Sequence, residues 1–77
     1  MPKRNDGLLI ADILDSMNSI FEFADGMNFE MFDADRKTKD AVVRNLEIIG
    51  EASKMISEDT KILNPLIEWK EMTSFRN

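Results

Sequence analysis

Arg44, Glu47 and Glu51 are ionisable side chains spaced about one turn apart along a stretch that reads as a single helix, which puts them on one helix face. At that spacing Arg44 can pair with Glu47 ahead of it and with Asp40 one turn behind, while Glu51 can pair with Lys54. Taken this way, the charges neutralise one another on a solvated surface, and such exposed pairs contribute about 0.3–0.5 kcal/mol each. The functional alternative is that Glu47 and Glu51, like charges a turn apart, orient a basic group supplied by a neighbouring helix. A metal site built on two helical carboxylates would need histidine or further acidic ligands at matching positions. The chain contains no histidine and offers no such acids, so neither a metal nor another cofactor is expected.

Composition narrows the remaining chemistry. Seventy-seven residues allow one small domain spanning 1–77, a size at which one hydrophobic core is marginal without a partner subunit or a covalent staple. There is no cysteine, which excludes disulfides and, with histidine also absent, the usual zinc sites. The longest apolar run, Leu8 to Ala11, is interrupted by Asp12, so no membrane span or signal-peptide core is expected and the chain reads as cytoplasmic. A net charge of −5 weighs against non-specific nucleic-acid binding, although basic residues group at Lys3-Arg4 and at Arg36, Lys37 and Lys39.

The elements that must hold these residues are helical. Ile10, Ile13, Leu14, Met17, Ile20 or Phe21, and Ala24 recur at a 3.6-residue period, predicting an amphipathic helix over about 7–25, with Asp6 as its N-cap and Gly26 closing it in the left-handed conformation. Asn28 can cap a short turn that presents Phe29 and Phe32 as a plug for the bundle end. A second long helix is expected from Lys37 to Ser57, its inner stripe Val42, Leu46, Ile49, Ala52 and Ile56 widened by Ala41, Ile48 and Met55. Gly50 in its middle costs about 1 kcal/mol relative to alanine, which fits a close helix contact near Leu14 or Met17. The segment 58–66 reads as a break centred on Asn64-Pro65, and a final helix starts near Ile67 with Trp69, Met72 and Phe75 three residues apart. The fold class is all-α, an antiparallel helical bundle of two long helices and shorter pieces. Its apolar faces exceed what a chain of this length covers alone, which predicts a homodimer.

The run Lys39-Asp40-Ala41-Val42-Val43-Arg44-Asn45-Leu46-Glu47-Ile48-Ile49-Gly50-Glu51-Ala52, with Asp12-Ile13-Leu14 before it and Pro65, Trp69 and Arg76-Asn77 after it, resembles the HepT-like ribonuclease toxins of the HEPN superfamily. The likeness covers nearly the whole chain. It implies an HEPN-like bundle, a homodimer that brings two motif segments together across a cleft, RNA as substrate, and a minimal nucleotidyltransferase antitoxin as partner. The family motif is an arginine and a polar residue opening a segment of four to six residues that ends in histidine. By resemblance Arg76 is the arginine and Asn77 the polar residue.

The resemblance also implies the chemistry. A guanidinium presents a fixed fork of donors to the scissile phosphate, and an imidazole titrating near neutral pH assists attack by the 2′-hydroxyl, without metal. The sequence stops after the first two motif positions, so most of the last helix, the histidine and the tyrosine to which the antitoxin adds nucleotidyl groups are expected to be missing. Two function classes follow. One is a toxin-type RNA endonuclease represented by an incomplete, inactive form. The other is a non-catalytic helical module that dimerises or binds the nucleotidyltransferase antitoxin.

Overall fold

The computed structural model describes residues 5–75. Five helices follow in order: α1 (Asp6–Phe23), α2 (Phe29–Ala34), α3 (Arg36–Met55), α4 (Glu58–Leu63) and α5 (Trp69–Ser74). The long pair, α1 and α3, forms the main packing layer; α5 lies against α3, and α2 touches its other end. Asp6 at the start of α1 bonds Ser57 just past the end of α3, so the two long helices run antiparallel. Among the described residues there is no strand, and no helix is long and apolar enough to cross a membrane.

Leu9 and Ile13 of α1 meet Ile49 and Ala52 of α3 and Ile56 just beyond it, and Ile20, Trp69 and Met72 pack on this cluster. Each large aliphatic side chain buried in this way stabilises by about 1.5–3 kcal/mol. On α3 the buried face is the one its periodicity predicts, with Val42, Ile49, Ala52 and Ile56 buried and Leu46 half-buried; Gly50 is buried too. On α1 the face is rotated by about one residue. Leu9, Ile13 and Ser16 point inward while Ile10, Leu14, Met17 and Phe21 remain substantially exposed. The reason is a nearly all-round apolar first half: when most positions are apolar, periodicity fixes the face poorly and the contact with α3 decides it.

Helix ends differ from expectation in instructive ways. Asn5, not Asp6, caps α1, its Oδ1 accepting the Leu8 N–H at 2.8 Å. Asn28 caps α2 as predicted, accepting from Met31 at 2.8 Å. Gly26 does adopt positive φ (74°), but two residues beyond the α1 C-cap, Ala24, in the turn toward α2. Phe29 is 77% exposed and plugs nothing; Phe32 alone of the pair is half-buried. Asp35 caps α3 by accepting the Thr38 N–H at 3.0 Å, and that bond holds its carboxyl below the usual aspartate value. A lowered carboxylate pKa supports the fold above the unfolded value and loses that support as pH falls through the folded one. Residues 58–63, expected as part of a break, form α4 because Ser57 supplies a cap, its Oγ accepting the Thr60 N–H at 3.3 Å.

Asp6 ties the N-terminus of α1 to this corner. One carboxylate oxygen accepts the Ser57 N–H at 3.1 Å; the other accepts the Ser57 hydroxyl at 2.6 Å and the Thr60 hydroxyl. Asp6→Ala leaves these donors without their shared acceptor and is expected to cost about 1–3 kcal/mol, read as a lowered urea midpoint. A midpoint unchanged by the substitution would show that the corner holds without it. Ser53 presents the opposite case. It is fully buried with no hydrogen-bond partner for its Oγ, so Ser53→Ala is expected to raise stability by about 1 kcal/mol, and a lowered melting temperature would contradict this.

Candidate functional site

The α1–α3 crossing leaves an open groove of about 280 Å³. Leu9, Ile48, Ala52 and Met55 contribute its apolar surfaces, and Arg44, Glu47 and Glu51 from α3 face Asp12 from α1 around its edge. The structure therefore brings together the three charged residues singled out by spacing and adds a fourth. Asp12 was not among the candidate site residues read from the sequence. The available signal was an acidic residue interrupting the apolar run of α1 within the stretch that carries the family likeness.

The pairing of Arg44 with Asp40 and Glu47 that spacing allows is not the one adopted. Among the described residues the ion pairs are Lys39–Asp33 at 3.2 Å and Lys61–Glu58 at 3.8 Å; Arg44 is paired neither with Glu47 nor with Asp40. Holding two long side chains in one geometry costs rotamer entropy comparable to the few tenths of a kcal/mol an exposed pair contributes. Arg44 and Glu47 thus remain solvated and available to another group. Among the described residues no three acidic side chains converge in a way that could hold a metal ion.

A second feature lies beside α5. Two apolar grooves, of about 320 and 260 Å³, share Met17 and Met72. The first is walled by Ile10, Leu14, Ile67 and Trp69, the second by Ile20, Phe21, Leu46 and Phe75. Trp69 is fixed there by its indole N–H, which donates to the Asn64 carbonyl at 3.1 Å across the Pro65 turn. Phe75, the last described residue, forms part of the wall, and Arg76 and Asn77, the candidate phosphate-holding residues, lie outside the described residues.

With this geometry in place, comparison with known proteins decides the family. Residues 13–77 match the family described as Ribonuclease HepT-like. The chain belongs to the HepT-like ribonuclease family. It is 47% identical over 75 residues to a Thermococcus cleftensis protein named "Probable ribonuclease HepT", a match covering 97% of this chain and 68% of that protein. Two provisionally named RNases of Methanocaldococcus jannaschii, MJ0127 and MJ1380, are 42% and 40% identical over all 77 residues, which correspond to 64% and 71% of their lengths. The chain thus spans about two thirds of the length of these relatives. No solved structure matches it at a comparable level.

As a HepT-like chain, the protein has a clear division of parts. Helices α1 and α3 carry the charged groove, and α5 precedes Arg76 and Asn77, which lie outside the described residues.

Proposed function

We propose that this chain provides the scaffold and the phosphate-holding half of a toxin-type, metal-independent RNA endonuclease, and that its 77 residues alone do not cleave RNA. The supporting observation is family membership, with identity of 40–47% to the relatives described above, combined with arginine and asparagine at positions 76 and 77 and no histidine or tyrosine among these 77 residues.

In this reading Arg76 donates to the non-bridging oxygens of the scissile phosphate and neutralises charge that builds in the transition state, while Asn77 offers a neutral donor beside it. The 2′-oxygen attacks phosphorus, the bond from phosphorus to the 5′-oxygen breaks, one proton leaves the 2′-hydroxyl and another reaches the departing oxygen. The proton transfers require a group that titrates near neutrality. The side chain that ordinarily titrates there is histidine, and the 77 residues contain none. Arg44, Glu47 and Glu51 act in support, the carboxylates orienting a cationic group brought by a neighbouring helix. The working form is a cytoplasmic homodimer whose activity a minimal nucleotidyltransferase antitoxin restrains.

The product identifies the chemistry. The chain followed by a family-like tail with histidine and tyrosine should cleave RNA in excess EDTA and leave 2′,3′-cyclic phosphate ends. Cleavage only with added divalent metal, or products ending in 3′-hydroxyl, would refute the metal-independent 2′-hydroxyl route.

A further inference from the structure

We propose that the end of the bundle made by the last turn of α1, the Gly26 turn and α2 is a docking face for a cationic amphipathic helix of another protein. The proposal stands independently of the ribonuclease reading.

Charge is shared unevenly along the chain. Residues 5–35 contain eight acids and no lysine or arginine, whereas residues 36–77 contain seven acids and eight bases. The negative charge therefore belongs to α1, α2 and the turn between them. Because α1 and α3 run antiparallel and Asp33 of α2 is bonded by Lys39 near the start of α3, the last turn of α1 and α2 share the end opposite the Asp6–Ser57 corner. Here Glu22, Asp25 and Glu30 are exposed and enter no ion pair among the described residues; Lys39 engages only Asp33, at 3.2 Å.

The same end leaves apolar side chains in water. Phe23 is 45% exposed, Phe29 77% and Met31 51%, and α2 buries none of its residues. At about 100° per residue, Phe29, Glu30 and Met31 spread over the outward arc of α2, opposite the half-buried Phe32. That arc presents a carboxylate between two apolar groups. Large apolar side chains grouped in this way and rimmed by polar residues mark association surfaces, and methionine adapts its shape to a partner.

Charge complementarity selects the occupant. The acids repel RNA phosphates and anionic lipid headgroups, and they equally repel the same face of a second copy. What matches them is a cation that also carries apolar surface. The described residues include no strand edge with which an extended segment could pair, so the partner must satisfy its own backbone N–H and C=O groups, as a helix does. Its apolar stripe would cover Phe23, Phe29 and Met31, and its flanking lysines or arginines would meet Glu22, Asp25 and Glu30.

A labelled helical peptide of about five turns, built only from leucine and lysine in a 3.6-residue pattern, is the probe. Fluorescence anisotropy with the 77-residue chain should show saturable binding. Glu22→Lys with Glu30→Lys should raise the dissociation constant at least about tenfold, and Phe29→Ser should do the same with net charge unchanged. Asp59→Lys with Glu68→Lys, at exposed positions on α4 and before α5, gives the same net charge as the first pair and should leave the constant within about threefold. Helical circular dichroism should be unchanged in all three. Equal weakening by the two double variants would reduce the binding to diffuse attraction, and an unaffected Phe29→Ser would remove its apolar half; either result overturns the proposal. So does the absence of saturable binding up to about 100 μM. Binding of the chain to phosphatidylcholine vesicles, abolished by Phe29→Ser, would assign the face to a lipid surface instead.

Discussion

RNA is expected to survive incubation with the 77-residue chain, and to be cut by the same chain carrying a family-like tail with histidine and tyrosine. The difference should be at least the 10²–10⁴-fold typically contributed by one positioned acid or base. The short form retains Arg76, which can hold phosphate, yet holding the ground state does not accelerate the reaction unless the transition state is held more tightly. Single-turnover rates on one labelled RNA measure the ratio. Equal rates would show that the acid and base come from groups other than the family histidine.

Leu9→Ala is expected to bring the domain close to unfolding. Leu9 is 2% exposed and sits where α1 meets α3, so truncation removes its burial and leaves a cavity, together about 2–5 kcal/mol. Small domains hold only about 5–15 kcal/mol in total, with chains of this length toward the lower end. Leu14→Ala is the matched control, at a position 54% exposed, and should change stability by less than about 1 kcal/mol. Urea unfolding of both variants measures the contrast. A Leu14 variant as damaged as the Leu9 variant would mean that α1 presents the opposite face to the core.

That contrast marks where the sequence was legible. Along α3, apolar residues alternate with charges such as Asp40, Arg44, Glu47 and Glu51, so only one face could be buried and Val42, Ile49, Ala52 and Ile56 were readable in advance. Along α1, apolar side chains occupy nearly every direction from Leu8 to Leu14. The choice between Leu9 and Ile10 depended on the tertiary contact with α3, which no local pattern encodes. The same holds for Asp6. Its side chain reads as an N-cap by position, yet it bonds Ser57 and Thr60 some fifty residues away, and the adjacent Asn5 takes the local role.

The candidate site was legible in the same uneven way. Helical spacing placed Arg44, Glu47 and Glu51 on one face, and the structure sets them in one groove. Asp12 joins them only through the crossing of α1 and α3, and the ion pairs allowed by spacing did not form around Arg44 because solvent offsets most of their worth. Arg76 and Asn77 are assigned to the family motif by resemblance alone, and they lie outside the described residues.

The most direct test of the account is therefore Arg76→Ala in the tail-extended chain, assayed for RNA cleavage in EDTA beside the unsubstituted form. If Arg76 holds the scissile phosphate, the variant should keep its helical spectrum and lose at least about 10²-fold in single-turnover rate, a loss of the size caused by removing one transition-state donor. A variant that is fully folded and cleaves at the parent rate would contradict the assignment of phosphate binding to Arg76 and, with it, the proposal that this chain carries that half of the ribonuclease site.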